Sequence, residues 1–122
     1  MTLTELNAFC ASLTAVSHVV QWGGADVWKV GDAAKGKVFV IAGTQVDGHL
    51  SFSVKVTPMT FDILRDHPDC RPAPYLASRG MSWIQYYRGA QMSDEDLRGL
   101  ILDSHRLVAA GLPKRMQREL GL

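Results

Sequence analysis

The sequence predicts an α+β fold: a five-stranded antiparallel sheet with helices packed on it, in the order α-β-β-β-β-α-β-α-α. Three observations lead there. Residues 18–56 hold short β-branched and aromatic runs separated by glycine pairs and an Asp-Gly turn signal. Residues 49–56 alternate strictly between apolar and polar, the pattern of a strand with one buried face. Outside this region, apolar residues recur at three- and four-residue spacing, the period of a helix stripe.

In chain order, residues 2–13 form a helix. Thr2 or Thr4 supplies the cap, Glu5 the acid of the first turn, and Leu3, Leu6, Phe9, Cys10 and Leu13 the apolar stripe. Residues 18–22 are the first strand, ended by Gly23-Gly24. In 25–30, Ala25, Val27 and Lys29 share one face and Asp26, Trp28 and Val30 the other. Residues 31–36 make a hairpin into a third strand, 37–42, and Asp47-Gly48 turns the chain again. In 49–56, Leu50, Phe52, Val54 and Val56 point to the core, and His49, Ser51, Ser53 and Lys55 to a more polar side. Consecutive hairpins make the sheet antiparallel.

Thr57-Pro58 opens a helix, with Thr as cap and Pro in the first turn, and the helix stops near Asp66-His67-Pro68. Residues 68–78, with Pro68, Pro72 and Pro74, read as an ordered loop anchored by Tyr75 and Leu76. Residues 81–87, with Trp83, Ile84, Tyr86 and Tyr87, are the fifth strand. Ser93 followed by Asp94, Glu95 and Asp96 starts a helix whose stripe is Leu97, Leu100, Ile101, Ser104, Leu107 and Val108. Gly111 ends it, and Leu112-Pro113 leads into a short terminal helix through Leu120. No repeat, low-complexity tract or linker divides residues 1–122, so one domain is expected.

Composition narrows the function. The 122 residues are 47% apolar and 20% charged with a net charge of +1, ordinary for a globular chain. Such a balance makes any nucleic-acid contact a matter of local Lys and Arg clustering. No apolar run approaches the roughly 18 to 20 residues of a membrane span, so no membrane partner is expected. The N-terminus has no basic flank before a long apolar run, and Cys10 and Cys70 form no CxxC pair. Reduced thiols and a cytoplasmic location are the expectation.

Catalytic and metal motifs are missing from the pattern. His18, His49, His67 and His105 have no metal-ligand spacing with each other or with the cysteines. Ser51, Ser53, Ser78 and Ser104 lie in no G-x-S-x-G elbow, and the glycines match no phosphate-binding loop. The carboxylates at helix starts are explained by capping and the helix dipole. A non-enzymatic protein without cofactor or metal is expected.

The basic residues carry the functional reading. Lys29 and Lys55 sit inside strands, Lys35 and Lys37 flank Gly36 at a hairpin tip, and Arg71, Arg79 and Arg88 bracket the proline-rich loop and the Trp83 strand. Lys114, Arg115 and Arg118 on the terminal helix read as dipole partners and solubilising charge. Lys29, Lys55 and the loop arginines make a discontinuous phosphate-binding strip, with Trp83 or Tyr86 available for stacking. The rival reading is a binding module for a protein or an anionic small molecule. It uses the proline-rich loop and a Trp83 pocket, with Arg71 or Arg79 as the anion clamp.

A resemblance adds to this. Trp22-Gly23, then Val27-Trp28-Lys29-Val30-Gly31 and Lys37-Val38-Phe39, resemble the signature of the MmcQ/YjbR-like family. Ser53-Val54-Lys55-Val56-Thr57-Pro58 is similar to its lysine strand and proline-started helix. Arg71 to Leu76 with Trp83 resembles its loop and tryptophan strand, and Asp103-Ser104-His105 falls where the family usually has Ser-Tyr. His105 is the departure. The similarity spans almost the whole chain and implies a frataxin-like (CyaY-like) α+β fold and a double-wing role in binding duplex DNA. On that reading Lys35 and Lys37 sit on a wing, Lys29, Lys55 and Arg79 bind phosphates, and Trp83 packs or stacks. Iron handling, which a frataxin-like fold could suggest, is not expected, because Glu5 is the only carboxylate of the first helix.

Overall fold

The Thr2 hydroxyl accepts from the Glu5 amide and the Glu5 carboxylate accepts from the Thr2 amide, and this capping box starts α1 (Leu3–Ala11). Thr2, not Thr4, is therefore the cap. The computed structural model describes residues 1–74, 76 and 80–122. After α1 come β1 (Val16–Gln21), β2 (Ala25–Val30), β3 (Lys37–Thr44), β4 (Leu50–Lys55), α2 (Pro58–Leu64), β5 (Cys70–Pro72), β6 (Trp83–Tyr86), α3 (Asp94–Ala110) and α4 (Lys114–Glu119). Thr57 and Ser93 cap α2 and α3 as their sequences require, and α3 passes through Gly111 as its C-cap.

The sheet has six strands in the order β1-β2-β3-β4-β6-β5, all pairs antiparallel, and not the five expected. The added strand, β5, lies in the stretch expected to be loop. It is three residues long and contains Pro72, so neither alternation nor β-propensity marks it. As the edge strand it tolerates a proline, whose missing N–H need not face a partner.

One face of the sheet is the core. Trp28, Val30, Val40, Ala42, Phe52, Val54, Ile84 and Tyr86 are buried there against Leu6 and Cys10 of α1 and Leu97, Ile101 and Val108 of α3. Fully burying a Val, Leu, Ile or Phe side chain stabilises the fold by about 1.5–3 kcal/mol, so this layer fixes which way the sheet faces. Among the described residues no helix is long and apolar enough to cross a membrane.

β3 contains a bulge. Trp28 pairs with Val40 but Lys29 pairs with Val38, leaving Phe39 as an extra residue. Ser104 of α3, fully buried, bridges the break: its hydroxyl donates to the Phe39 carbonyl at 2.7 Å and accepts from the Lys55 amide at 2.9 Å. A helix side chain thus replaces a ladder bond and holds the end of β4 in place.

Candidate nucleic-acid interface

Side chains alternate along each strand, so the registers define what lies on the sheet face opposite the core. One row crosses all the strands: Val19, Val27, Ile41, Ser53, Gln85 and Arg71. Toward the β3 start, Lys29 lies beside Val38, and Lys55 lies directly opposite Trp83. Lys29, Lys55 and Trp83 therefore share this face, although 54 residues of sequence separate the first from the last.

A groove of about 370 Å³ runs from this face to the C-terminal end of α3, lined by Trp22, Lys37, Ile41, Lys55, Met81 and Trp83 and, from the helix, by Val108 and Gly111. Its floor is apolar and its cations stand at the rim. Among the described residues that line it, none is acidic. Trp83 is only 5% exposed and serves as floor, whereas Trp22 is 63% exposed and presents an aromatic surface. Trp22 occupies the left-handed region (φ 53°) at the β1–β2 turn, followed by two positive-φ glycines. A bulky residue in that region stores strain of about 1–3 kcal/mol, a feature that clusters at ligand sites.

Lys29 and Lys35 are not among the described residues that line the groove. The Lys29 ammonium donates to the Ala33 carbonyl at 2.8 Å, a neutral partner that leaves its charge uncompensated. Lys35 is exposed in the β2–β3 connection, where Asp32 Oδ1 accepts from the Ala34 and Lys35 amides at 2.9 and 2.5 Å and rigidifies the turn. Among the described residues, Lys29, Lys35, Lys37 and Lys55 form no ion pair with a carboxylate. Arg79 lies outside the described residues. Tyr86, considered for stacking, faces the core instead, its ring 5.5 Å from that of Phe52, because it sits one residue out of phase with Gln85.

Trp22, Ile41 and Met81 also line the groove, and no motif in the sequence marks their side chains as ligand contacts. The positive-φ turn that turns Trp22 outward has a local signal, Gly23-Gly24, but its position over the distant β3–β6 face has none. Among the described residues no cluster of three His, Cys, Asp or Glu side chains could hold a metal ion. The His18–Asp26 pair, 2.7 Å apart, sits with Trp28 on the core side of the β1–β2 ribbon and faces no nucleophile of the groove. Burial pushes the Cys10 thiol up to about 12 and the Cys70 thiol up to about 11, so neither supplies a thiolate near neutrality.

The model of the YjbR family matches residues 11–107. The chain belongs to this family. YbdF of Escherichia coli O157:H7, described as uncharacterized, is 32% identical over 94 residues, covering 76% of this chain and 71% of YbdF. The YjbR fold here is similar to the crystal structure of DR2400 of Deinococcus radiodurans, a DUF419 domain. The TM-score is 0.85 at 27% identity, over 99% of this chain and 88% of that one. A crystal structure from Pseudomonas syringae shares the fold, with TM-score 0.69 and 17% identity over 88% of this chain and 99% of that one. The structural likeness is thus to a DUF419 protein, which corrects the expectation of a CyaY-like relative. The meander of four strands and the capped helices were visible in the chain, but the edge strand β5 was not.

Proposed function

We propose that this YjbR-family protein is a non-enzymatic domain that binds nucleic acid, with duplex DNA as the first ligand to test, in the groove between the Lys55–Trp83 sheet face and the C-terminal end of α3. The observation that carries the reading is the convergence of Lys37, Lys55, Trp22 and Trp83 on one groove whose described lining has no carboxylate. Lysines at the rim supply sequence-independent phosphate contacts, and an exposed indole supplies a π-face for a base or sugar edge. Lys29 and Lys35 extend the cationic strip toward the β2–β3 hairpin, and Arg79 joins it on sequence grounds.

Fluorescence anisotropy with a labelled duplex, titrated across salt concentration, tests this. Four phosphate contacts, from Lys29, Lys35, Lys37 and Lys55, give a log–log slope of about −4. The double variant Lys37→Ala/Lys55→Ala brings it to about −2. No binding at low salt, or a slope that the double variant leaves unchanged, rules the proposal out.

A second reading is favoured by the size of the groove. Its volume of about 370 Å³ falls in the range of small-molecule pockets, about 300–1,000 Å³. On this reading an anionic, planar small molecule lies on the apolar floor with its charge on Lys37 and Lys55. Thermal shift separates the two: nucleotides or phosphorylated metabolites raise the melting temperature and duplex DNA does not.

A further inference from the structure

The β5–β6 edge carries a second cationic feature, built differently from the groove. Arg71 of β5 lies opposite Gln85 of β6, and its Nε donates to Gln85 Oε1 at 2.7 Å. Its guanidinium carbon sits 4.1 Å from the centroid of the Tyr87 ring. Arg88 approaches the same ring at 5.0 Å, and its Nε donates to the Pro68 carbonyl at 2.9 Å. Both guanidinium groups are therefore positioned by one aromatic ring and one neutral acceptor each. Among the described residues neither meets a carboxylate within ion-pair distance.

This arrangement differs from a solubilising surface arginine in two respects. Stacking on a ring orders a side chain that otherwise carries about 2 kcal/mol of rotamer entropy, so less is lost when it binds. Engaging Nε with a neutral oxygen leaves the Nη groups and the full positive charge available, and their planar fork matches two oxygens of one oxyanion. We propose that Arg71 and Arg88, braced on Tyr87, form an anchor for a single phosphate group. The chemistry is that of a phosphate ester, whether a diester of a nucleic-acid strand or a free phosphorylated small molecule. The anchor uses none of the groove residues and does not rest on the groove reading.

The test follows the Arg71 and Arg88 Nε–Hε signals by nitrogen-15 NMR while the whole chain is titrated with inorganic phosphate at constant ionic strength. Both signals shift saturably. Arg71→Lys keeps the charge but loses the fork and the stacking, and weakens phosphate binding about tenfold, the loss of one charge-assisted hydrogen-bonded contact. Tyr87→Phe, which retains the ring, leaves it unchanged, and so does Lys37→Ala/Lys55→Ala, which disables the groove alone. Parallel titrations with an oligothymidylate and with adenosine monophosphate identify the source: the tighter ligand, per phosphate, is the class the anchor serves. Absence of a saturable shift in the wild-type protein, or equal phosphate affinity in a folded Arg71→Lys variant, overturns the proposal.

Discussion

Gly36 separates Lys35 from Lys37, and its lack of a side chain is what lets the hairpin carry both. A Cβ at this position would lie 2.5 Å from the Asp32 carbonyl oxygen and 2.7 Å from that of Val30, contacts with backbone that cannot swing aside. Gly36→Ala is expected to destabilise the protein by about 2 kcal/mol, in the range of overpacked sites, and to shift the amide signals of residues 31–37. A denaturant midpoint equal to that of the wild type would contradict the close approach. The two thiols give a pH prediction at the same scale. Burial raises Cys10 from 9.0 to about 12 and Cys70 from 9.0 to about 11, so the native state keeps protons that the unfolded chain releases. Their contribution to stability is whole below about pH 8.5, where unfolded thiols are protonated, and is lost as pH rises toward the folded values. Urea unfolding at pH 8 and pH 10.5 should show the decline, and Cys10→Ala should flatten it even if it lowers stability at both.

At the scale of elements, Ser104 is the clearest case of a helix correcting a strand. The β3 bulge leaves the Phe39 carbonyl and the Lys55 amide without ladder partners, and one buried hydroxyl serves both. Ser104→Ala leaves two buried polar groups unsatisfied and is expected to cost about 2–3 kcal/mol. The Lys55 amide should lose hydrogen-exchange protection more than its β4 neighbours. Equal protection across β4 would mean that water replaces the hydroxyl. In the sequence this residue was visible only as a small polar interruption of the α3 stripe, with no sign of its two acceptor and donor partners. The bulge itself was unmarked, because Lys37 to Ala42 reads as an ordinary apolar strand. The caps of α1 and α3 were legible as a hydroxyl residue followed by first-turn acids, with Thr4 open beside Thr2, and the structure completes each as a capping box: Thr2 with Glu5, and Ser93 with Asp96.

For the whole molecule, a net charge of +1 means that a ligand of high negative charge is recognised by where cations stand, not by how many there are. The side chain that reports this most cleanly is Trp22. It is 63% exposed, so Trp22→Ala is expected to change stability by less than about 0.5 kcal/mol. The same variant removes the exposed aromatic surface of the groove, and affinity for a stacking ligand should fall about tenfold, at the lower end of base–aromatic stacking energies. Chemical denaturation and anisotropy on the same variant separate the two effects. A large loss of stability with unchanged affinity would place Trp22 in the fold and not in the site.

The helices, the four-strand meander, the inward face of β4 and the family were legible along the chain, because period, capping and turn chemistry act over a few neighbouring residues. The strand positions of Lys29, Lys55 and Trp83 were legible in the same way. That Lys37, Lys55, Trp83 and Trp22 line one groove, and that Cys70–Pro72 pairs as a sixth strand, came only from tertiary packing. Those outcomes depend on register between strands distant in the chain and on a bulge sealed by Ser104. Register is set by how whole faces pack, and no local window of sequence records it.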